Sequence, residues 1–306
     1  MVNRRQFLGW GAAGIGAFPF HDAFALEIGQ PSRTARVAAM QRAAHQLLET
    51  PRVLDDPMAL RIFGAEGVAW LGRNMDLYRT NGSRRMRAFL VMRSRYAEDQ
   101  LAIAVARGVR QYVVLGAGLD TFAYRNPFRR LRVFEVDHPS TQAWKRNRLK
   151  EQSIEAPRSL TFAPVDFETQ TLATGLEVAG FRADRPAFFS WLGVVIYLSK
   201  PSVTETLRYV AARPAGSRLV FDFAPPSNSI SEAERLRREA SSALLAKAGE
   251  PWINYYSPGA LVDELCAARF SSAHYLGSEE MNRRYFSDRA DGFRLYGSGR
   301  MMAAEV

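Results

Sequence analysis

The chain predicts an α/β fold of Rossmann-like type: a mainly parallel, seven-stranded sheet flanked by helices, with a helical segment ahead of it. Three observations predict it. A continuous apolar run, Tyr112 to Leu115, is stopped by Gly116-Ala117-Gly118. A second run, Arg132 to Val136, ends in the carboxylate of Asp137, 19 residues after Gly118. Beyond it, apolar runs and helical stretches alternate, as strand and crossover do in a parallel sheet.

Each element has its own signature. At the N-terminus, Asn3-Arg4-Arg5-Gln6-Phe7-Leu8, the apolar stretch Gly9 to Phe20 and Ala23-Phe24-Ala25 resemble a twin-arginine export signal spanning 1–25. That stretch is too short to span a bilayer as a helix, so stable membrane insertion is not expected. A functional signal sends the chain to the periplasm, and otherwise it stays in the cytoplasm. Residues 32–107 read as a helical lid: Val37, Met40, Ala44 and Leu47 recur at helical spacing, Asp55-Asp56-Pro57 starts a new helix, and Phe89, Met92, Tyr96 and Leu101 continue the pattern. The remaining 108–306 form the core. Its expected strands after the first are 132–136, 160–165, 187–191, 218–224, 272–276 and 293–297. Helices are expected from Thr141 to Gln152, Glu168 to Ala179, Lys200 to Ala212 and over 231–248. The third of these is the best marked, with Ser199 as cap, Pro201 in the first turn and a Pro214-Ala215-Gly216 stop.

The first strand, its glycines and Asp137 are the geometry of a nucleoside site. Glycine at 116 and 118 allows positive φ and leaves no Cβ in the path of a ligand. A helix is expected to follow, its free amides facing the same crevice, and Asp137 stands where it could accept hydrogen bonds from a ribose. A dinucleotide fingerprint wants a third small residue at the sixth position, which here is Thr121.

The segment Leu115-Gly116-Ala117-Gly118-Leu119-Asp120-Thr121, continuing through Ala123-Tyr124-Arg125, with Phe134-Glu135-Val136-Asp137 ahead of Pro139, resembles the leucine carboxyl methyltransferase-like group of class I S-adenosylmethionine-dependent methyltransferases. Val165-Asp166-Phe167, the run Phe189 to Leu198 and the run Arg284 to Arg294 continue the likeness, which covers about residues 32–296. The resemblance implies S-adenosyl-L-methionine as cofactor and a class I methyltransferase fold with a lid. It implies Asp166 and Phe167 beside the adenine, and Arg93 ahead of Arg95 as the group that binds the cofactor carboxylate. Arg33 resembles a second basic position facing the cofactor. Many relatives carry Glu-Gly in the fourth-strand motif where this chain has Leu192-Gly193, which leaves Asp137 and Asp166 to supply the polar recognition.

Composition narrows the partners. The net charge of +10 comes from arginines spread along the chain with acidic residues between them, which argues against nucleic acid and leaves an acidic small-molecule acceptor as an explanation. Cys266 is the only cysteine, flanked by core-type residues, and the 4 histidines lack metal-ligand spacing, so no metal site is expected. No Gly-x-Ser-x-Gly elbow supports a serine hydrolase. Methyl transfer to oxygen, either a carboxylate or a hydroxyl, is the expected reaction; a non-catalytic or NAD-binding protein on the same scaffold is the alternative. For the acceptor, Tyr197 and Arg289 are the expected catalytic residues, with Arg284 and Tyr285 beside Arg289: a planar arginine fork suits a carboxylate and a tyrosine can orient a hydroxyl.

Overall fold

The computed structural model describes residues 33–166, 169–247, 249–297 and 299–306. The export-signal segment 1–25 and Phe167 lie outside the described residues.

Strands β1 (Gln111–Leu115), β2 (Arg132–Asp137), β3 (Leu160–Pro164), β4 (Phe188–Trp191), β5 (Arg218–Phe223), β6 (Ser272–Leu276) and β7 (Arg300–Glu305) form one sheet in the order β3-β2-β1-β4-β5-β7-β6. The first five are parallel, and β7 runs antiparallel between β5 and β6. All of β1 is buried, because both faces of the sheet are covered. Side-chain alternation divides the strand residues between two cores. Val113, Leu115, Phe134 and Val136 pack with Leu176, Leu207 and Leu265 from α7 (Leu172–Val178), α8 (Lys200–Ala211) and α10 (Pro258–Ala267). Tyr112, Val114 and Val133 pack with Ala88, Val91, Met92 and Ala97 of α5 (Asn81–Ala106) and with Met281 of α11 (Ser278–Tyr285).

The helices ahead of β1 build a third core. In it, α1 (Arg33–Leu48), α2 (Met58–Arg61) and α3 (Gly64–Arg73) bury Ala39, Ala43, Ala59 and Leu71 against Leu149 of α6 (Pro139–Glu151), and α4 (Met75–Arg79) adds Tyr78. A buried polar cluster ties this segment together. Glu49 accepts from Arg87 Nη2 at 2.6 Å and meets His45 Nδ1 at 2.9 Å, while His45 Nε2 accepts from the Val53 amide at 3.0 Å. That acceptance requires the proton of a neutral His45 to sit on Nδ1.

The α8 signature is realised: the Ser199 side chain accepts from the Ser202 amide and proline stands in the first turn. The segment after β1, the last strand and one helix start differ from the sequence expectation. Between β1 and β2 there is no α-helix, only a 3-10 turn at Phe122–Tyr124. Turn chemistry won there: Asp120 accepts from the Phe122 amide, Asn126 from the Phe128 amide, and Pro127 stands between them. The last strand is Arg300–Glu305 rather than 293–297. Phe293 and Leu295 are buried as their alternation suggests, but Leu295 N donates to the Asn282 side chain of α11 instead of joining a ladder. The helix expected from residue 168 begins at Leu172, capped by Thr171. Among the described residues no helix is long and apolar enough to cross a membrane.

Candidate active site

Parallel strands deliver their C-terminal ends to one edge of the sheet, and the strand order reverses between β1 and β4, which opens a crevice there. The glycine turn stands at that edge. Gly116 has φ 66° and Gly118 φ 48°, both left-handed. Gly116 is exposed and Gly118 buried. The missing side chains serve the chain itself as well as an incoming ligand: a Cβ on Gly116 would meet Val194 Cγ2 at 2.4 Å, and one on Gly118 would meet the Ala35 methyl of α1 at 3.1 Å. Thus α1 lies against the turn, and the exposed backbone of Gly116 is the part left accessible.

Asp137 closes β2 beside this turn. One carboxylate oxygen accepts from Gly118 N at 2.5 Å and the other from His138 N at 2.7 Å. Each oxygen keeps acceptor capacity for a further donor. Burial raises the Asp137 carboxyl above its ordinary range, and the two amides partly offset that rise. Asp166 follows β3, adjacent to β2, and its carbonyl accepts from the Thr169 and Gln170 amides.

Beneath the turn, buried charges fix what a helix was expected to fix. Lys145 bridges Glu135 and the Asp120 carbonyl, both at 2.6 Å. Burial pushes Glu135 up to about 7 against the pull of that ammonium. Asp56 accepts from Thr121 Oγ1 at 2.6 Å and pairs with Arg42 and Arg125. Arg125 also forks onto Glu98. Arg125, with Asp120 capping its own turn, therefore braces the fold.

Across the crevice, β4 runs into Gly193, whose φ is 73°. A Cβ there would stand 2.8 Å from both terminal nitrogens of Arg93. Arg93 reaches this point from α5, pairs with Asp222 of β5 at 3.0 Å, and retains 13% exposure. Asp222 also accepts from Gly193 N at 2.5 Å. Arg95 is not brought to the crevice. Two residues along a helix is a rotation of about 200°, so it leaves the opposite side of α5 and pairs at the surface with Asp99 at 2.8 Å.

Tyr197 lies in the 3-10 turn Val195–Tyr197 after Gly193. Its hydroxyl accepts from Trp252 Nε1 at 3.1 Å and bonds to Thr34 of α1. Burial raises its pKa, so it is a neutral donor at pH 7. Glu250, two residues before Trp252, accepts from the Arg33 and Thr34 amides at the start of α1. Residues 250–252, which follow α9 (Glu232–Lys247), thereby clasp α1 beside the tyrosine.

Arg289 is held elsewhere. Its fork grips Asp291 at 3.0 and 2.6 Å, its third nitrogen donates to the Pro51 carbonyl, and its guanidinium lies 5.2 Å from the Phe293 ring. These bonds brace the helical segment against the C-terminal loop, which corrects the expectation that its fork would meet an acceptor. Arg284 pairs with Glu280, and Tyr285 donates to Asp99. Asp222, Gly193, Glu250 and Trp252 were not anticipated. The detectable signal was Asp222, a lone carboxylate in the otherwise apolar run Leu219 to Phe223. Among the described residues no group of three or more histidine, cysteine or acidic side chains could hold a metal ion.

Residues 35–211 match the family model for leucine carboxyl methyltransferase. A Bacillus subtilis protein named "Putative S-adenosyl-L-methionine-dependent methyltransferase YktD" is 28% identical over 290 residues, covering 87% of this chain and 95% of its own length. A Mycobacterium avium protein, "Putative S-adenosyl-L-methionine-dependent methyltransferase", is 30% identical over 228 residues, covering 70% of this chain and 72% of its own length. In fold, the chain is similar to a solved "putative methyltransferase" from Thermobifida fusca, with a TM-score of 0.55 at 14% identity, over 91% of this chain and 96% of that one. A DUF574 family protein from Streptomyces avermitilis gives 0.51, also at 14% identity, over 90% of this chain and 97% of that one.

Proposed function

This chain belongs to the leucine carboxyl methyltransferase family of S-adenosyl-L-methionine-dependent methyltransferases, and from that premise we propose that it transfers the methyl group to an oxygen of a small acidic acceptor. When bound, S-adenosyl-L-methionine supplies an electrophilic methyl group on a sulfonium. The chain's own residues then have three tasks: to bind, to orient and to exclude water. Asp137 would accept from the ribose, the backbone of Gly116 would allow close approach, and Arg93 would receive the cofactor carboxylate next to Gly193. Asp166, after β3, would face the adenine. The dinucleotide reading of the turn is not favoured by the family membership.

The acceptor reading rests on the hydroxyl of Tyr197. Buried, neutral and hydrogen-bonded to Trp252 and Thr34, it can donate to an acceptor oxygen but is a poor base toward one. An acceptor that is already ionised, a carboxylate, needs no base at neutral pH. The family's own name, a carboxyl methyltransferase, supports the same choice.

The test is a screen of carboxylic acids, phenols and alcohols with isotopically labelled methyl donor, followed by mass spectrometry before and after mild alkali. A product that loses its label to alkali is a methyl ester and is the expected result. Label on nitrogen, carbon or sulfur would overturn the proposal.

A further inference from the structure

The fold collects charges that the sequence spreads out. Arginines far apart along the chain precede successive strands, and parallel strands all begin at one edge of the sheet, the edge opposite the crevice. In sheet order, Arg158 precedes β3, Arg129 and Arg130 precede β2, Arg110 precedes β1, and Arg182 and Arg185 precede β4. All of these are exposed. Four neighbouring strands span on the order of 14 Å, so these guanidiniums share one face.

Some arginines at this edge serve the fold. Arg110 Nη1 donates to the Val105 carbonyl at the end of α5 and to the Val109 carbonyl, at 2.8 and 2.7 Å. Arg182 forks onto Asp184, and Glu305 pairs with Arg107 and Arg218. Arg129, Arg130 and Arg158 differ: among the described residues their side chains make no hydrogen bond or ion pair. The register of Val133 with Leu160 sets the starts of β2 and β3 side by side, which brings these three together. Glu155 and Glu177, also exposed at this edge, lessen the positive charge without pairing with it.

Beside the arginines stands an uncovered apolar side chain. Val178, the last residue of α7, is 85% exposed, the most of any large apolar residue described. The turn after it is held under β1 and β2. Arg132 Nη1 donates to the Gly180 carbonyl at 3.2 Å, and the Gln111 side chain exchanges hydrogen bonds with the Arg182 backbone at 2.9 and 2.8 Å. Guanidiniums around an exposed apolar tip suit an anionic bilayer, whose phosphates meet the charges while the tip enters the headgroup region. A nucleic acid would engage the charges but leave the valine in water. We propose that this edge docks the protein peripherally on an anionic lipid bilayer, with the crevice at the opposite edge facing solution.

Sedimentation of the full chain with vesicles tests this, one set of phosphatidylcholine alone and one of phosphatidylcholine with an equal amount of phosphatidylglycerol. The parent should bind the anionic vesicles and not the neutral ones, and binding should weaken as salt rises. Equal binding to both sets would overturn the proposal. Arg129→Gln, Arg130→Gln and Arg158→Gln combined should weaken binding about 100-fold, about fivefold per arginine. The thermal midpoint and the affinity for S-adenosyl-L-homocysteine should stay as in the parent. If that variant binds vesicles like the parent, another part of the chain holds the lipid and the proposal fails. Lysine at the same three positions should keep most of the binding, because the surface reads charge; loss as large as with glutamine overturns it. Val178→Asp should weaken binding about tenfold. No change there, or release of the protein from the vesicles by duplex DNA at equal phosphate concentration, would overturn the lipid assignment.

Discussion

At Gly116 a backbone demand and a packing demand coincide. Its φ of 66° is a conformation that side chains resist, and a Val194 methyl lies 2.4 Å from where a Cβ would stand. Replacement by alanine should therefore destabilise the protein by about 1–3 kcal/mol through strain at that position. Thermal unfolding of Gly116→Ala beside the parent checks this, and an unchanged midpoint would show that the turn relaxes. Single residues also mark the limit of what the sequence tells. Arg93 and Arg95 are chemically equivalent in sequence, and only the rotation of α5 sends one to Asp222 and the other to Asp99. Arg289 had the right chemistry for a carboxylate, but the chain supplies its own in Asp291.

Among the elements, those with a strong local cause were legible. The buried run of β1 and the Ser199 cap with proline in the first turn of α8 form where propensity, pattern and capping agree. The missing helix after Gly118 was hidden by competition: local side-chain caps at Asp120 and Asn126 and the Lys145 bridge hold the loop in place of helical hydrogen bonds. β7 was hidden for the opposite reason. Arg300-Met301-Met302-Ala303-Ala304-Glu305 has no β-branched residue, so it has little intrinsic strand preference, and its ladders with β5 and β6 decide its conformation. The clasp of Glu250 on the first amides of α1 joins residues more than 200 positions apart, which no sequence window contains.

For the molecule as a whole, buried charge holds the helical segment together, and this gives stability a pH dependence. Burial alone would raise the Glu49 carboxyl, but the bonds from His45 and Arg87 outweigh it and hold the group below its ordinary value. A depressed carboxyl contributes stability that is complete above the unfolded value of about 4.3 and is lost as pH falls through the folded value. Glu49→Gln, which leaves the Arg87 guanidinium buried without its counter-charge, should cost about 3–5 kcal/mol at neutral pH. Urea unfolding across a pH series should show that difference narrowing toward acid, and a constant difference would contradict the linkage.

The same segment lays α1 over the glycine turn, so the fold and the site are one arrangement. A crystal structure with S-adenosyl-L-homocysteine bound tests it most directly. The account predicts the ribose on Asp137, the nucleoside over the ends of β1 and β2, and the amino-acid end beside Arg93 and Gly193. Ligand density anywhere else on the chain, with the glycine turn and Asp137 untouched, would contradict it.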